Sequence, residues 1–298
     1  MKERNMKELK VAVNTNSLRK NFSNAEMVAL IKSCGAGGIE WGMNGLEGLQ
    51  EECREMIRLT EDAGLQVISF INGGKLLNTE EMKRWTETVA ASGVKTMRVA
   101  HPWYAYNFEE ALHQPDNYLD LLKMTRDGLE RIEELGRQSG LRYVMETHGS
   151  SVFASPVAAH YLLAGLDPAV FGVIYDPANT YIEGFVRPRG AAEVIGPYMS
   201  YVHVKNIRWK EQQGLLLGER QRQVWRPEKC HLDEGLVDYQ EVFFAMNCIG
   251  FEGWYSFEEM FSQPDQVAAE IRRGIEHLKL CREQAPLAPR EPFKSFNY

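Results

Sequence analysis

The stretch FGVIYDPAN, at residues 171–179, joins a short apolar run to a polar end that starts at Asp176. A run of this length, rich in β-branched and aromatic residues, is typical of a parallel strand that is covered on both faces. Seven other stretches have the same form. The eight predicted strands are Val11–Thr15, Gly38–Trp41, Gln66–Asn72, Thr96–His101, Arg142–Thr147, Phe171–Asp176, Tyr201–Asn206 and Trp254–Glu259.

Helical patterns separate these strands along the chain, and the longest begins behind Pro115 and ends near Gly136 or Gly140. Eight strand–helix units in about 275 residues average about 34 residues each, the usual size of such a unit. The sequence therefore predicts an α/β fold, a (β/α)8 TIM barrel that forms a single domain over residues 1–298. Its core is expected at about residues 10–282, with short N- and C-terminal extensions. An open doubly wound sheet would instead need a glycine-rich phosphate turn after the first strand, where the chain has NTNS.

Composition and charge exclude several classes of protein. The 298 residues are 44% hydrophobic and 25% charged, which is typical of a globular protein and unlike a disordered or fibrous chain. The formal net charge of −7 argues against nucleic-acid binding. No apolar stretch is long enough for a membrane span, and the charged N-terminus lacks a signal-peptide core, so we expect a cytoplasmic protein without membrane association. The five cysteines show no CxxC spacing and predict neither a disulfide framework nor a thiolate zinc site.

Two long segments, Tyr181–Ala191 and Arg208–Glu234, are predicted to be loops after the sixth and seventh strands. Loops in these positions lie at the C-terminal face of a barrel, where barrel enzymes carry their chemistry. The second segment carries Trp209 and Trp225 among several basic residues. It fits either a lid over a ligand or a subunit contact, and both remain open. The exposed tryptophans favour a homo-oligomer, a dimer or a tetramer.

Four consecutive strands end in potential metal ligands: Glu146, Asp176, His203 and Glu258. Three acids that face one another inside a barrel repel, which raises their pKa values and destabilises the fold. A divalent cation removes this conflict. Three carboxylates and one imidazole suit Mn²⁺ best, with Mg²⁺, Co²⁺ and Zn²⁺ as alternatives.

The same segments resemble a known family. The matching motifs, in chain order, are GGIEWG (37–42), METHG (145–149), YDPAN (175–179), YVHVKN (201–206), DEGLVDY (233–239) and GFEGWYSFEE (250–259). They are similar to those of the sugar isomerase and epimerase superfamily with the xylose isomerase-like TIM barrel, which includes ketose 3-epimerases and endonuclease IV. The resemblance implies one divalent ion held by Glu146, Asp176, His203 and Glu258. In the ketose 3-epimerase branch, the glutamates that match Glu146 and Glu258 are also the catalytic acid and base.

The chain departs from two branches of this superfamily. Many epimerases have a histidine where this chain has Asn179, and an amide can bind a hydroxyl group but cannot transfer a proton. Relatives of the endonuclease IV type have further histidines for a multinuclear zinc site. This chain has Asn179 at one such position, Asn72 at the end of the third strand and no DxH after the seventh. A trinuclear nuclease site is therefore not expected.

Five further residues at strand ends are predicted to contact substrate: His101, His148, Asn179, Lys205 and Trp41. Each has a structural alternative. Trp41 could instead be packed in the core, and Lys205 could form a salt bridge in the barrel mouth, with Glu40 as a candidate partner.

The pattern predicts an enzyme that acts on a small sugar or polyol. The first hypothesis is a divalent-metal-dependent isomerase or epimerase that abstracts a proton next to a carbonyl group and stabilises an enediolate. One alternative is a metal-dependent dehydratase of a keto-polyol, of the inosose or dehydroshikimate type. A second alternative is a non-catalytic sugar-binding barrel with a structural ion.

Overall fold

The structure of the chain is a computed structural model that describes residues 8–105, 112–113, 116–184, 186–217, 220–258 and 262–287. Most of the predicted N-terminal extension, Glu259 at the end of the last predicted strand and most of the C-terminal tail lie outside these residues.

Eight parallel strands form the barrel, and a separate pair of strands follows the seventh of them. The barrel strands are β1 Val11–Asn14, β2 Gly38–Gly42, β3 Gln66–Ile71, β4 Thr96–Arg98, β5 Arg142–Glu146, β6 Phe171–Tyr175, β7 Met199–Val204 and β10 Tyr255–Phe257. They close in the order β1-β10-β7-β6-β5-β4-β3-β2. The predicted (β/α)8 barrel and all eight of its strands are confirmed, with boundaries that differ by at most three residues.

Helices connect the strands and cover the outside of the barrel. In the described part of the chain they are α1 Asn24–Ser33, α2 Leu49–Asp62, α3 Thr79–Ala91, α4 Tyr118–Ser139, α5 Pro156–Leu163, α6 Pro177–Glu183, α7 Pro188–Ile195, α8 Tyr239–Cys248 and α9 Val267–Gln284. The long helix α4 begins at the Asn117 cap and ends at Gly140, whose φ of 66° suits a residue without a side chain. None of the helices in the described ranges is long and apolar enough to cross a membrane.

The side chains that point into the barrel form an apolar layer and, further along the strands, a polar layer. Val144, Ile174 and Tyr201 form a buried cluster inside the barrel. Two residues further along β5 lies Glu146, and His203 follows Tyr201 in β7 at the same spacing. Because side chains two residues apart point to the same face of a strand, polar groups stack directly on this cluster toward the C-terminal ends.

The two predicted loops contain regular structure, so this part of the prediction is wrong. The segment Arg208–Glu234 lies mostly in a two-stranded antiparallel ribbon, β8 Asn206–Leu217 with β9 Arg220–Cys230. The segment Tyr181–Ala191 contains the end of α6 and the start of α7. Trp209 and Trp225 on the ribbon are 40% and 61% exposed.

Trp41 packs in the core instead of lining the barrel mouth. Its side chain is fully buried, and the indole nitrogen donates a hydrogen bond to Thr60 Oγ1 on α2 at 2.9 Å. Because Trp41 follows Glu40 in β2, alternation turns Glu40 inward and the indole outward toward the helices. The predicted substrate contact of Trp41 is therefore replaced by its structural alternative.

Replacing Trp41 should destabilise the fold strongly. We expect Trp41→Ala to lower the free energy of unfolding by about 3–5 kcal/mol, because the change leaves a cavity and removes the hydrogen bond to Thr60 Oγ1. Trp225→Ala, which removes the same side chain from an exposed site, should stay within about 0.5 kcal/mol of the unchanged protein. Urea denaturation followed by circular dichroism measures both. Equal stability of the two variants would contradict the packing described for Trp41.

Candidate metal centre

Four side chains converge at the C-terminal end of the barrel. Glu146 ends β5, Asp176 follows β6, His203 lies in β7 and Glu258 follows β10, and these four strands are consecutive neighbours in the barrel. One ligand atom from each residue lies within 4.8 Å of those of the others. The four residues predicted as ligands are thus brought together, although a bound ion remains a proposal.

His203 stands in the middle of this group and is fully buried. Its Nδ1 lies 3.0 Å from Glu146 Oε1, 3.3 Å from Glu258 Oε1 and 4.0 Å from Asp176 Oδ2. One nitrogen of the ring therefore faces all three carboxyl groups.

The other ring nitrogen faces Glu40, a buried carboxyl group whose role sequence reasoning missed. His203 Nε2 lies 3.0 Å from both Glu40 oxygens. Tyr201 and Ser256 donate hydroxyl hydrogen bonds of 2.6 Å to the same carboxylate, and Asn14 donates one of 3.1 Å. The suggested pairing of Glu40 with Lys205 is wrong, because Glu40 lies on the opposite side of the imidazole. Its place in GGIEWG, on the inward face of β2, was the available signal.

Lys205 lies among the carboxyl groups of the site. Its Nζ is 2.7 Å from Asp176 Oδ2, 2.8 Å from Glu258 Oε2 and 3.8 Å from Glu146 Oε1. The structure therefore shows the salt bridge in the barrel mouth that was the alternative to substrate binding. A contact between Lys205 and substrate stays a prediction.

Arg98 also belongs to the site and was not predicted. Its Nη2 lies 2.6 Å from Glu146 Oε2. The fourth strand ends at Arg98, three residues before the predicted end at His101. A prediction that ended the fourth strand at Arg98 would have placed this arginine at the barrel mouth. The same reasoning from strand ends placed the four predicted ligands there.

The pKa values of the site reflect burial and an incomplete balance of charge. Burial opposes ionisation of Glu146, but Arg98 and His203 hold its pKa well below the usual value. Burial raises the pKa of Asp176 to about 7, against the effect of Lys205, and the charges of Glu146 and Glu258 add to the increase. Lys205 therefore does not fully offset the burial of the Asp176 carboxyl group and its repulsion by the two glutamates. A buried group of three carboxylates and an imidazole with this deficit fits a divalent cation.

Asn179 supports the cluster. Its side-chain amide donates hydrogen bonds to Glu146 Oε1 at 3.2 Å and to the Thr147 carbonyl oxygen at 3.1 Å. The residue is buried in the first turn of α6. The first contact orients Glu146 and the second anchors the amide, while a contact between Asn179 and substrate stays a prediction.

His101 and His148 lie beside the cluster in an aromatic group with Trp103. The ring centroid of Trp103 is 5.4 Å from that of His101 and 4.7 Å from that of His148. Burial, together with the charge of Arg98, lowers the pKa of His101 to about 3, so this ring is neutral. His148 Nδ1 lies 2.8 Å from the Gly149 carbonyl oxygen, which fixes the orientation of the ring. Trp103, at 40% exposure, is an aromatic surface at the barrel mouth that sequence reasoning did not single out.

Comparison with known proteins identifies the family of the fold. The family model described as the xylose isomerase-like TIM barrel matches residues 28–281. An inosose dehydratase of Geobacillus thermodenitrificans is 22% identical over 163 residues, which are 50% of this chain and 52% of that protein. An inosose dehydratase of Bacillus licheniformis is 22% identical over 144 residues and 44% of each chain. The matches thus span about half the length of these curated relatives.

Solved structures share the fold over nearly the whole chain. The 3-keto-D-glucoside 4-epimerase of E. coli superposes with a TM-score of 0.69 at 17% identity, covering 92% of this chain and 100% of that one. A D-psicose 3-epimerase of Clostridium cellulolyticum gives a TM-score of 0.70 at 11% identity, with 92% and 99% covered. A probable 3-DHS dehydratase of Bacillus anthracis gives 0.67 at 17% identity, with 91% and 99% covered.

The position of Lys205 predicts a strong effect on the metal-free protein. We expect Lys205→Met to destabilise the fold by about 3–5 kcal/mol in the presence of a chelator, because it leaves buried carboxylates without their cation. Lys123→Met removes a lysine that contacts Asp127 at 2.7 Å on the surface, where such a pair has little effect. Thermal unfolding in EDTA measures both. Unchanged stability of Lys205→Met would contradict the charge balance described for the site.

Proposed function

The chain belongs to the xylose isomerase-like TIM barrel family, and on this basis we propose that it is a divalent-metal-dependent isomerase or epimerase. Its substrate would be a small polyhydroxylated ketone, and the reaction would begin by removing a proton from a carbon next to the carbonyl group. The convergence of Glu146, Asp176, His203 and Glu258 within 4.8 Å supports this proposal most directly.

The bound cation would stabilise the negative charge that develops on the carbonyl oxygen when the neighbouring carbon loses its proton. The four residues of the cluster would hold the ion. Their oxygen-rich set with one imidazole nitrogen fits Mn²⁺ best, and Mg²⁺, Co²⁺ or Zn²⁺ would also be accepted. The C-terminal end of the barrel is also the face at which barrel enzymes bind substrate.

The proposed proton transfers are assigned to Glu146 and Glu258. Epimerisation requires removal of a proton from one face of the substrate and its return to the other, and two carboxyl groups in one site can do this. Their surroundings differ. Glu146 is almost fully buried and has Arg98 at one oxygen, whereas Glu258 is 11% exposed and has Lys205 at 2.8 Å. Glu258 is therefore the more accessible base.

An unphosphorylated substrate fits the charges of the site. Arg98 and Lys205 already contact the carboxyl groups of the cluster. Two arginines after β6 also have acidic neighbours: Arg187 lies 3.0 Å from Glu241, and Arg189 in α7 lies 2.8 Å from Glu193. The aromatic face of Trp103 would pack against an uncharged ring, and His101 and His148 beside it would contact hydroxyl groups.

Dehydration of a keto-polyol is the second candidate function. It requires one base for the proton and one acid for the departing hydroxyl group, so it does not need two interchangeable carboxylates. The ion pair of Arg98 with Glu146 favours such an asymmetric arrangement, and so does Asn179 in place of a proton-transferring histidine. Two curated relatives are inosose dehydratases, which agrees with this candidate.

Exchange with solvent deuterium should reveal the shared first step. Metal-loaded protein incubated with a panel of ketoses and inososes in deuterated water should incorporate deuterium next to the carbonyl group, and EDTA should abolish the exchange. NMR and mass spectrometry measure the incorporation. Metal binding without exchange on any member of the panel would support a non-catalytic sugar-binding barrel instead.

The products should separate the two reactions. In ordinary water, an epimerase gives an inverted sugar of unchanged mass, whereas a dehydratase gives a product lighter by one water molecule, with an enone-type absorbance. Glu146→Gln should lower either rate by about 10²–10⁴-fold if Glu146 transfers a proton. Glu52→Gln changes a glutamate that contacts Asn44 outside the cluster and should leave the rate unchanged. Full activity of Glu146→Gln would exclude the proposed proton transfer.

A further inference from the structure

We infer that Glu40 is a positioning residue that holds His203 in the one tautomer and orientation that turns Nδ1 toward the carboxylate cluster. This inference rests on the metal site of the proposed function and adds a residue that does not itself belong to the ligand set. Glu40 does not touch the cluster centre. It acts through the far side of the imidazole ring.

The surroundings of Glu40 are built to accept a carboxylate. Its side chain is fully buried, and burial of an unpaired carboxylate is costly. Tyr201, Ser256 and Asn14 each donate a hydrogen bond to it, and His203 Nε2 lies 3.0 Å from both oxygens. The Glu40 carboxylate thus has four side-chain partners, which come from the neighbouring strands β1, β10 and β7. Three of them fix its position beside the fourth, His203.

The direction of the hydrogen bond sets the tautomer of His203. A carboxylate only accepts hydrogen bonds, so Nε2 must carry the hydrogen that points at Glu40. Glu146 likewise accepts a hydrogen from Nδ1 in the metal-free site. A cation held by the cluster would take the place of that hydrogen, which leaves the ring with Nε2–H toward Glu40 and the Nδ1 lone pair toward the ion. Nδ1 is the nitrogen that lies 3.0 Å from Glu146 and 3.3 Å from Glu258. Metal-binding histidines generally donate their second N–H to such a partner, and loss of the partner weakens metal affinity.

Asn14 connects this carboxylate to the cluster by a second route. Its side-chain nitrogen lies 3.1 Å from Glu40 Oε2 and 3.1 Å from Glu258 Oε1. The supporting side chains come from β1, β2, β7 and β10, which are neighbours on one side of the barrel. The ligands come from β5, β6, β7 and β10. The two sets overlap at the strands of His203 and Glu258, so a shift of Glu40 would affect both ligands.

The substitution Glu40→Gln tests the inference, because it keeps the volume and adds N–H donors. The amide introduced at this position can donate to Nε2 and thereby favour the opposite tautomer, with the hydrogen on Nδ1. We expect the affinity for Mn²⁺ and Zn²⁺ to fall by about 10–100-fold in calorimetric titrations of the full chain. In zinc-loaded protein with ¹⁵N-labelled histidine, long-range NMR spectra should show the His203 ring bound through Nδ1 with its hydrogen on Nε2 in the unchanged protein, and a fraction of the rings without a zinc-bound Nδ1 in the variant.

A matched control exists elsewhere in the chain. Glu270 is also buried and lies 2.6 Å from His231 Nδ1, outside the cluster. Glu270→Gln makes the same chemical change beside another histidine and should leave the affinity for both ions unchanged. If Glu40 served only the stability of the fold, both variants would lower the unfolding temperature while the affinity of the folded protein stayed constant.

The outcomes separate the two proposals. Glu40→Gln protein that binds Mn²⁺ and Zn²⁺ as tightly as the unchanged chain, with the same His203 tautomer, overturns the role of Glu40 and leaves the proposed function intact. Tight binding that Glu40→Gln weakens, without deuterium exchange on any carbonyl substrate, supports the role of Glu40 and removes the proposed enzymatic function. Absence of metal binding in the unchanged protein overturns both.

Discussion

Charge compensation inside a closed barrel is the constraint on which the other features of the site depend. The described polar layer contains four carboxyl groups and three basic side chains: Glu40, Glu146, Asp176, Glu258, Arg98, Lys205 and His203. An apolar cluster lies directly below this layer, so solvent cannot screen the charges from that side. Burial, together with repulsion from Glu146 and Glu258, raises the pKa of Asp176 to about 7 even with Lys205 in contact. A divalent cation would add positive charge next to these carboxyl groups, and the barrel strands already bring its four candidate ligands together.

Strand alternation explains why the cluster could be predicted and why other site residues could not. A carboxyl group or imidazole at the end of a buried apolar run stands out in the sequence, and parallel strands bring such ends together. The fourth strand is the exception, because Val99 and Ala100 extend its apolar run past the true end at Arg98 and move the predicted end to His101. Trp41 and Glu40 are adjacent, and only the register of β2 decides which of them points inward.

The ribbon of β8 and β9 was predicted as a loop for a physical reason. Its described side chains are mostly exposed on both faces. Because neither face packs on a core, the sequence of the ribbon does not need the alternation of apolar and polar residues that predicts a strand. A two-stranded ribbon is only marginally stable alone, and its regular pairing depends on backbone hydrogen bonds that begin at the Asn206–Cys230 pair and continue beyond it. Hydrophobic periodicity predicts helices and strands that pack on a core, so it does not detect this exposed ribbon. The ribbon follows directly after β7, the strand that carries His203.

The two glutamates of the site are chemically unequal, and this asymmetry bears on the reaction. Arg98 and Asn179 both contact Glu146, which favours its ionised form and weakens it as a base. Glu258 is in contact with Lys205, a side chain whose ammonium group can also stabilise a developing oxyanion or a departing hydroxyl group. A reaction that needs one base and one acid could use Glu258 and Lys205 without any rearrangement of these side chains. Proton return by Glu146 would first require Arg98 to release it, whereas a dehydratase that relies on Glu258 as its base needs no such release.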